Sequence, residues 1–176
     1  MGGGGGTEGS AASPKRSKSQ MRLEGILKQI PEAREQLLAA LEDLGPAFDL
    51  ATIQAAMQSG DPRERNRVAV IERELDVLIA YMEELASRGL AEAQRLGLIE
   101  KESGQPFERL ADLRVITRPA AQRLQDIKDM RNTLAHAYPP ASWRSLHDAV
   151  EVLRGELDSY TVKVGGWLES EGVLRR

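Results

Sequence analysis

The chain has 176 residues, of which 41% are apolar, so it can bury one sizeable core, whereas two domains would both be marginal. It contains no cysteine, which excludes disulfides, thiolate metal sites and cysteine nucleophiles. The formal net charge of −3 argues against a protein that coats nucleic acid non-specifically, because such binding depends on many phosphate contacts.

The residue composition favours helices. Leu, Ala, Glu, Arg and Gln dominate, aromatic residues make up only 4%, and the alternation typical of strands does not recur. No apolar run reaches the roughly 18 residues of a membrane span, and no apolar signal segment opens the chain. The sequence therefore predicts an all-α protein located in the cytoplasm, without membrane contact.

Residues 1–20 differ in composition from the rest. Glycine, serine and other small residues dominate there, so the segment cannot bury enough apolar surface to offset the entropy of ordering. We expect a disordered tail over 1–20 and a helical domain over 21–176. The basic end of the tail, with Lys15 and Arg16, is either a solvated linker or a contact for RNA or an acidic partner.

The first predicted helix begins at Met21, because leucine and isoleucine recur from there every three or four residues. Pro31 is expected to kink or restart this helix, and Gly45-Pro46 to end it. A short helix is predicted over about 48–58.

The clearest helical pattern follows a Ser-Gly turn. Asp61 is the expected N-cap and Pro62 the first helical residue. Arg88-Gly89 is a candidate C-cap, with a further turn or two reaching Leu98.

Three further helices are predicted in the C-terminal half. A short one spans about 107–116, and Pro119 starts the next, which ends near His136 or Ala137. Ser142 is the candidate N-cap of the last helix, and Gly165-Gly166 weakens its end. Four main amphipathic helices with short extra helices predict an up-and-down four-helix-type bundle.

Reactive side chains concentrate at the end of the third main helix. The stretch reads Arg131-Asn132-Thr133-Leu134-Ala135-His136-Ala137-Tyr138 and is followed by two prolines. Arg131 occupies a position where the helical stripe calls for an apolar residue. A guanidinium there is unfavourable unless it is paired, or unless that face opens onto a cleft or a subunit interface.

The spacing of the motif constrains its geometry. Asn132 and His136 share one helical face with Gln125 and Asp129, whereas Arg131 lies about 140° around an ideal helix from His136. The two side chains can converge on one phosphate if the helix end unwinds at the prolines. A second copy of the chain could instead supply part of the site, which predicts a two-fold dimer.

The residue types suit RNA cleavage without a metal. Histidine exchanges protons at neutral pH, and arginine offers a permanent planar cation for phosphate oxygens. Such a pair can assist attack by the 2′-hydroxyl and stabilise the developing charge, chemistry that DNA does not support. No histidine pair at ligand spacing is present, so no metal or other cofactor is expected.

The motif resembles that of the HEPN domains, and among them the HepT-like toxins of MNT/HepT toxin–antitoxin pairs. The resemblance covers about residues 22–162 and rests on the complete Arg-Asn-x3-His-x-Tyr pattern. It implies an all-α homodimer with a composite, metal-independent endoribonuclease site in which Arg131 and His136 are catalytic and Asn132 positions them. It further implies a nucleotidyltransferase antitoxin of the MNT type that adenylylates Tyr138.

Two other interpretations remain open. HEPN domains also include non-catalytic modules that bind RNA, nucleotide or a protein partner. In a purely structural helical dimer, Arg131 would pair with a buried carboxylate, His136 would cap a helix and Tyr138 would pack under the Pro-Pro turn.

Side chains outside the motif are assigned simpler roles. His147 is expected at the surface. Asp129 is expected on a solvated face, with orientation of a motif side chain as the alternative. Tyr160 and Trp167 are expected in the core or a dimer interface.

Overall fold

In the computed structural model, which describes residues 17–134 and 141–174, the chain forms six helices and no strand. They are α1 (Lys18–Leu44), α2 (Leu50–Gln58), α3 (Pro62–Arg95), α4 (Pro106–Asp112), α5 (Arg118–Leu134) and α6 (Ala141–Ser170). The predicted all-α class, with four long helices and two short ones, is confirmed. α3 lies at the centre and contacts each of the other five helices.

α1 begins at Lys18, three residues before the predicted helix start at Met21. The cause is local, because the Ser17 hydroxyl accepts the Gln20 N–H while the Gln20 side chain accepts the Ser17 N–H, forming a capping box. The first 16 residues of the predicted tail lie outside the described residues. Pro31 is exposed inside α1 and does not divide it, whereas Gly45 ends the helix as predicted.

α3 starts as predicted, with Asp61 as N-cap and Pro62 in the first turn. The predicted C-cap at Arg88-Gly89 is wrong, since the helix continues to Arg95. Gly89 is buried where α3 meets α6, and a Cβ atom added there would lie 2.9 Å from Leu168 Cδ2. This glycine therefore permits a close helix–helix approach and does not mark a helix end.

The remaining helix starts follow local signals with one exception. The Thr117 hydroxyl accepts the Ala120 N–H at 3.3 Å, which places Pro119 in the first turn of α5 as predicted. The prediction of Ser142 as N-cap is wrong, because α6 begins at Ala141, a residue of the highest helix propensity. Gly165-Gly166 lies within the last two turns of α6, which continues to Ser170.

The core consists mainly of leucine, isoleucine, valine and alanine from all six helices. Its two buried aromatic rings, Phe107 and Tyr160, meet edge to face with centroids 6.0 Å apart. Across the described ranges, no helix combines the length and apolarity that spanning a membrane requires.

Candidate functional site

The segment leading into the motif is held against two other helices. Lys128 Nζ lies 2.6 Å from Glu83 Oε1 of α3, and the Arg123 guanidinium pairs with Glu156 of α6. Between these contacts the Ile127 side chain is 5% exposed. The last turns of α5 therefore have a defined position relative to α3 and α6.

The predicted site residues fall at the edge of the described structure. Arg131 and Asn132 belong to the last turn of α5, and the description covers their backbone but not their side chains. His136 and Tyr138 lie outside the described residues. The arrangement of these four side chains thus stays a prediction.

One turn before Asn132, a polar contact follows the predicted face of the motif. Gln125 Nε2 donates to Asp129 Oδ1 at 2.9 Å, and the Gln125 side chain is buried although Asp129 is exposed. The buried Gln125 Oε1 accepts no hydrogen bond from any described residue. Because positions 125, 129 and 132 share one side of α5, this contact orients a carboxylate beside the start of the motif.

His147 lies in α6 and packs against the segment that precedes α2. Its ring stacks on Phe48 with centroids 5.5 Å apart, and its Nδ1 lies 3.2 Å from Asp148 Oδ1. The backbone N–H of Thr52 is the main cause that lowers the pKa of nearby Asp49, to which the charge of His147 adds. His147 is half-buried, so the prediction of a surface residue was only partly correct, and its contacts are those of helix packing.

Tyr160 is buried, and its hydroxyl donates to the Met82 carbonyl at 2.6 Å, which confirms the expected core position. Burial raises the pKa of this phenol well above its usual range. Tyr160 is thus a neutral donor that links α6 to α3. Trp167 is partly buried against the same core.

A cleft beside the first turn of α6 was not anticipated from the sequence. It has a volume of ≈ 640 Å³ and is lined by Met57, Pro62, Arg65, Asn66, Val68, Ala69, Glu72 and Trp143. Its residues come from α2, α3 and α6, which no local pattern brings together. The one sequence signal was a tryptophan just after the motif.

Within residues 17–134 and 141–174, no group of three or more His, Asp or Glu side chains is arranged to hold a metal ion. Most ion pairs in that part of the chain join an acidic residue to an arginine, as Glu84 pairs with Arg22 and Arg88.

The family model described as "Ribonuclease HepT-like" matches residues 49–164, well over half of the chain. The chain belongs to the HepT-like ribonuclease family. The matched range runs from the residue before α2 into α6 and includes the whole Arg131–Tyr138 motif, which confirms the predicted family. α1 lies outside the match, although the resemblance was expected from residue 22. No curated protein and no solved structure matches the chain significantly.

Proposed function

We propose that this HepT-like protein is a metal-independent endoribonuclease toxin that cleaves RNA at a site formed by Arg131, Asn132 and His136. The observation that carries the proposal is the position of the complete motif inside the range matched by a ribonuclease family. The contacts of Lys128 and Arg123 fix α5 against α3 and α6 and support this proposal, because active-site residues need a rigid structural element to hold them.

The proposed reaction requires a base, an acid and a cation. The base takes the proton of the 2′-hydroxyl as its oxygen attacks the adjacent phosphorus, the bond to the 5′-oxygen breaks, and the acid gives a proton to that leaving oxygen. Arg131 neutralises the charge that develops on the phosphate oxygens, and Asn132 positions the pair. His136 exchanges a proton with one of the two reacting oxygens. The products are a 2′,3′-cyclic phosphate and a free 5′-hydroxyl.

The helical spacing of Arg131 and His136 supports a composite site at a homodimer interface. On an ideal helix the two residues point about 140° apart, so a second copy of the chain can supply the missing side chain. Regulation by an MNT-type nucleotidyltransferase antitoxin is part of the same proposal. The antitoxin would adenylylate the Tyr138 hydroxyl, and the added adenylyl group would obstruct RNA binding at the adjacent motif.

The test is induced expression of the wild type beside Arg131→Ala and His136→Ala, following growth, total RNA integrity and soluble protein level. Loss of general acid–base catalysis costs about 10²–10⁴-fold in rate, so we expect growth arrest and RNA cleavage only in the wild type. Arg73→Ala is a matched control, since the Arg73 side chain is 77% exposed on α3.

Purified protein gives the second readout. Cleavage should persist in a metal chelator, produce cyclic phosphate ends and fail on RNA that lacks the 2′-hydroxyl at the cut position. Equal RNA cleavage by the wild type and both motif variants would contradict the proposal. Intact RNA in every case, with binding that depends on Arg131, would indicate a non-catalytic HEPN module.

A further inference from the structure

We infer that the cleft beside Trp143 binds a nucleobase of the single-stranded RNA that enters the site, and so selects the sequence that is cut. This inference rests on the proposed function, which supplies the RNA. The cleft is bounded by the end of α2, the first turns of α3 and the start of α6. Its volume of ≈ 640 Å³ lies within the range of about 300–1,000 Å³ typical of small-ligand sites.

The wall of the cleft contains an aromatic ring. Trp143 is half-buried against the core, and its buried indole N–H donates to no acceptor in the described part of the chain. Because Trp143 is only half-buried and lines the cleft, part of its side chain faces the open volume. Exposed bases of single-stranded RNA stack on aromatic side chains of this kind.

The rim of the cleft carries groups that can read the edge of a base. Arg65 and Asn66 are exposed on α3, and neither forms an ion pair or hydrogen bond with another described residue. The Asn66 amide offers both donors and an acceptor, and the Arg65 guanidinium offers further donors for the edge of a base. Apolar side chains line most of the rest of the cleft, so a heteroaromatic ring suits it better than a free phosphate.

The cleft is close to the motif along the chain. Trp143 is the third residue of α6 and follows His136 by seven positions, so their Cα atoms are at most about 25 Å apart. One short RNA strand can therefore occupy the cleft and present a phosphate to the motif. The cleft would then determine base preference beside the cut.

Trp143 fluorescence measures occupancy of the cleft directly. Trp167→Phe leaves Trp143 as the single tryptophan, and short 2′-O-methyl RNAs of each base bind without being cut. We expect saturable quenching that is strongest for one base. Stacking on an aromatic ring contributes about 1–3 kcal/mol per base, so Trp143→Leu should weaken binding by about 5- to 150-fold. Because this variant lacks the Trp143 signal, its binding is measured by the fluorescence anisotropy of a dye-labelled RNA.

Asn66→Ala keeps the test valid if Trp143→Leu does not fold, because Asn66 is exposed. We expect it to weaken binding of the favoured RNA and to alter base preference beside the cut in wild-type substrate. Gln36→Ala is the matched control, since Gln36 is an exposed amide of α1 outside the cleft.

The outcomes separate the cleft from the ribonuclease. RNA cleavage by the wild type, with no quenching and with unchanged cut positions in Asn66→Ala, would overturn the cleft inference and leave the ribonuclease intact. Quenching that depends on Asn66, together with intact natural RNA, would support the inference that the cleft binds a nucleobase and overturn the proposed ribonuclease activity.

Discussion

Glu92 connects the last turn of α3 to the first turn of α1. Its side chain is 4% exposed and accepts from Arg95 Nη2 at 2.6 Å and from Arg95 Nε at 2.9 Å. The Arg95 hydrogen bonds hold the pKa of Glu92 below its usual range, in opposition to burial, and the Ser19 and Ser17 side chains lower it further by a smaller amount. A buried charge near the end of α3 thus lies beside the start of α1.

Glu92→Gln removes this charge with little change of shape. Hydrogen bonds to charged groups contribute about 1.5–3 kcal/mol, but Arg95 is 59% exposed and is rehydrated, and the amide oxygen keeps part of the contact. We expect the free energy of unfolding at pH 7 to fall by about 1–2 kcal/mol, which lowers Tm by about 2–8 °C.

The pH dependence provides the decisive readout. A carboxyl group with a folded pKa below its unfolded value of about 4.3 stabilises the protein fully above that value. This stabilisation is lost as the pH falls through the lower, folded pKa. The difference between wild type and Glu92→Gln in urea unfolding should therefore be largest near pH 7 and shrink below about pH 4.3.

Glu32→Gln is the matched control, because Glu32 is exposed on α1 and forms no ion pair with another described residue. Its effect should lie within about 0.5 kcal/mol. An effect of Glu92→Gln that equals this control, or that has the same size at pH 7 and pH 3.5, would refute the argument.

Three further substitutions test the packing. Gly89→Val should lower the free energy of unfolding by about 2–3 kcal/mol in urea titration, because its Cβ would lie 2.9 Å from Leu168 Cδ2; an unchanged midpoint would contradict the close approach. Arg114→Gly should raise Tm by about 1–3 °C in calorimetry, because Arg114 has a φ of 59° at the end of α4; a lower Tm would show that its side chain matters more than backbone strain. Tyr160→Phe should lower the free energy of unfolding by about 1 kcal/mol through loss of the bond to Met82, and no loss would mean that this bond contributes nothing net.

The sequence by itself predicted the features that depend on neighbours along the chain. Helical periodicity indicated the four long helices, and Asp61-Pro62 and Gly45 marked ends that the structure confirms. The start of α1 was also encoded locally, in the Ser17–Gln20 capping box, but the glycine-rich composition before it led to a boundary three residues late. Family membership followed from the Arg131–Tyr138 motif, because that pattern is contiguous.

Tertiary structure alone decided the features that depend on distant residues. Gly89 has the same local signature in a helix interior as at a helix end, and only its contact with Leu168 of α6 distinguishes the two. The burial of Glu92 beneath the α1 cap and the cleft beside Trp143 likewise depend on which helix faces pack together. Periodicity predicts that a helix face is buried but not which other helix it packs against. The free energy that selects the neighbouring helix comes from contacts between residues far apart in the chain.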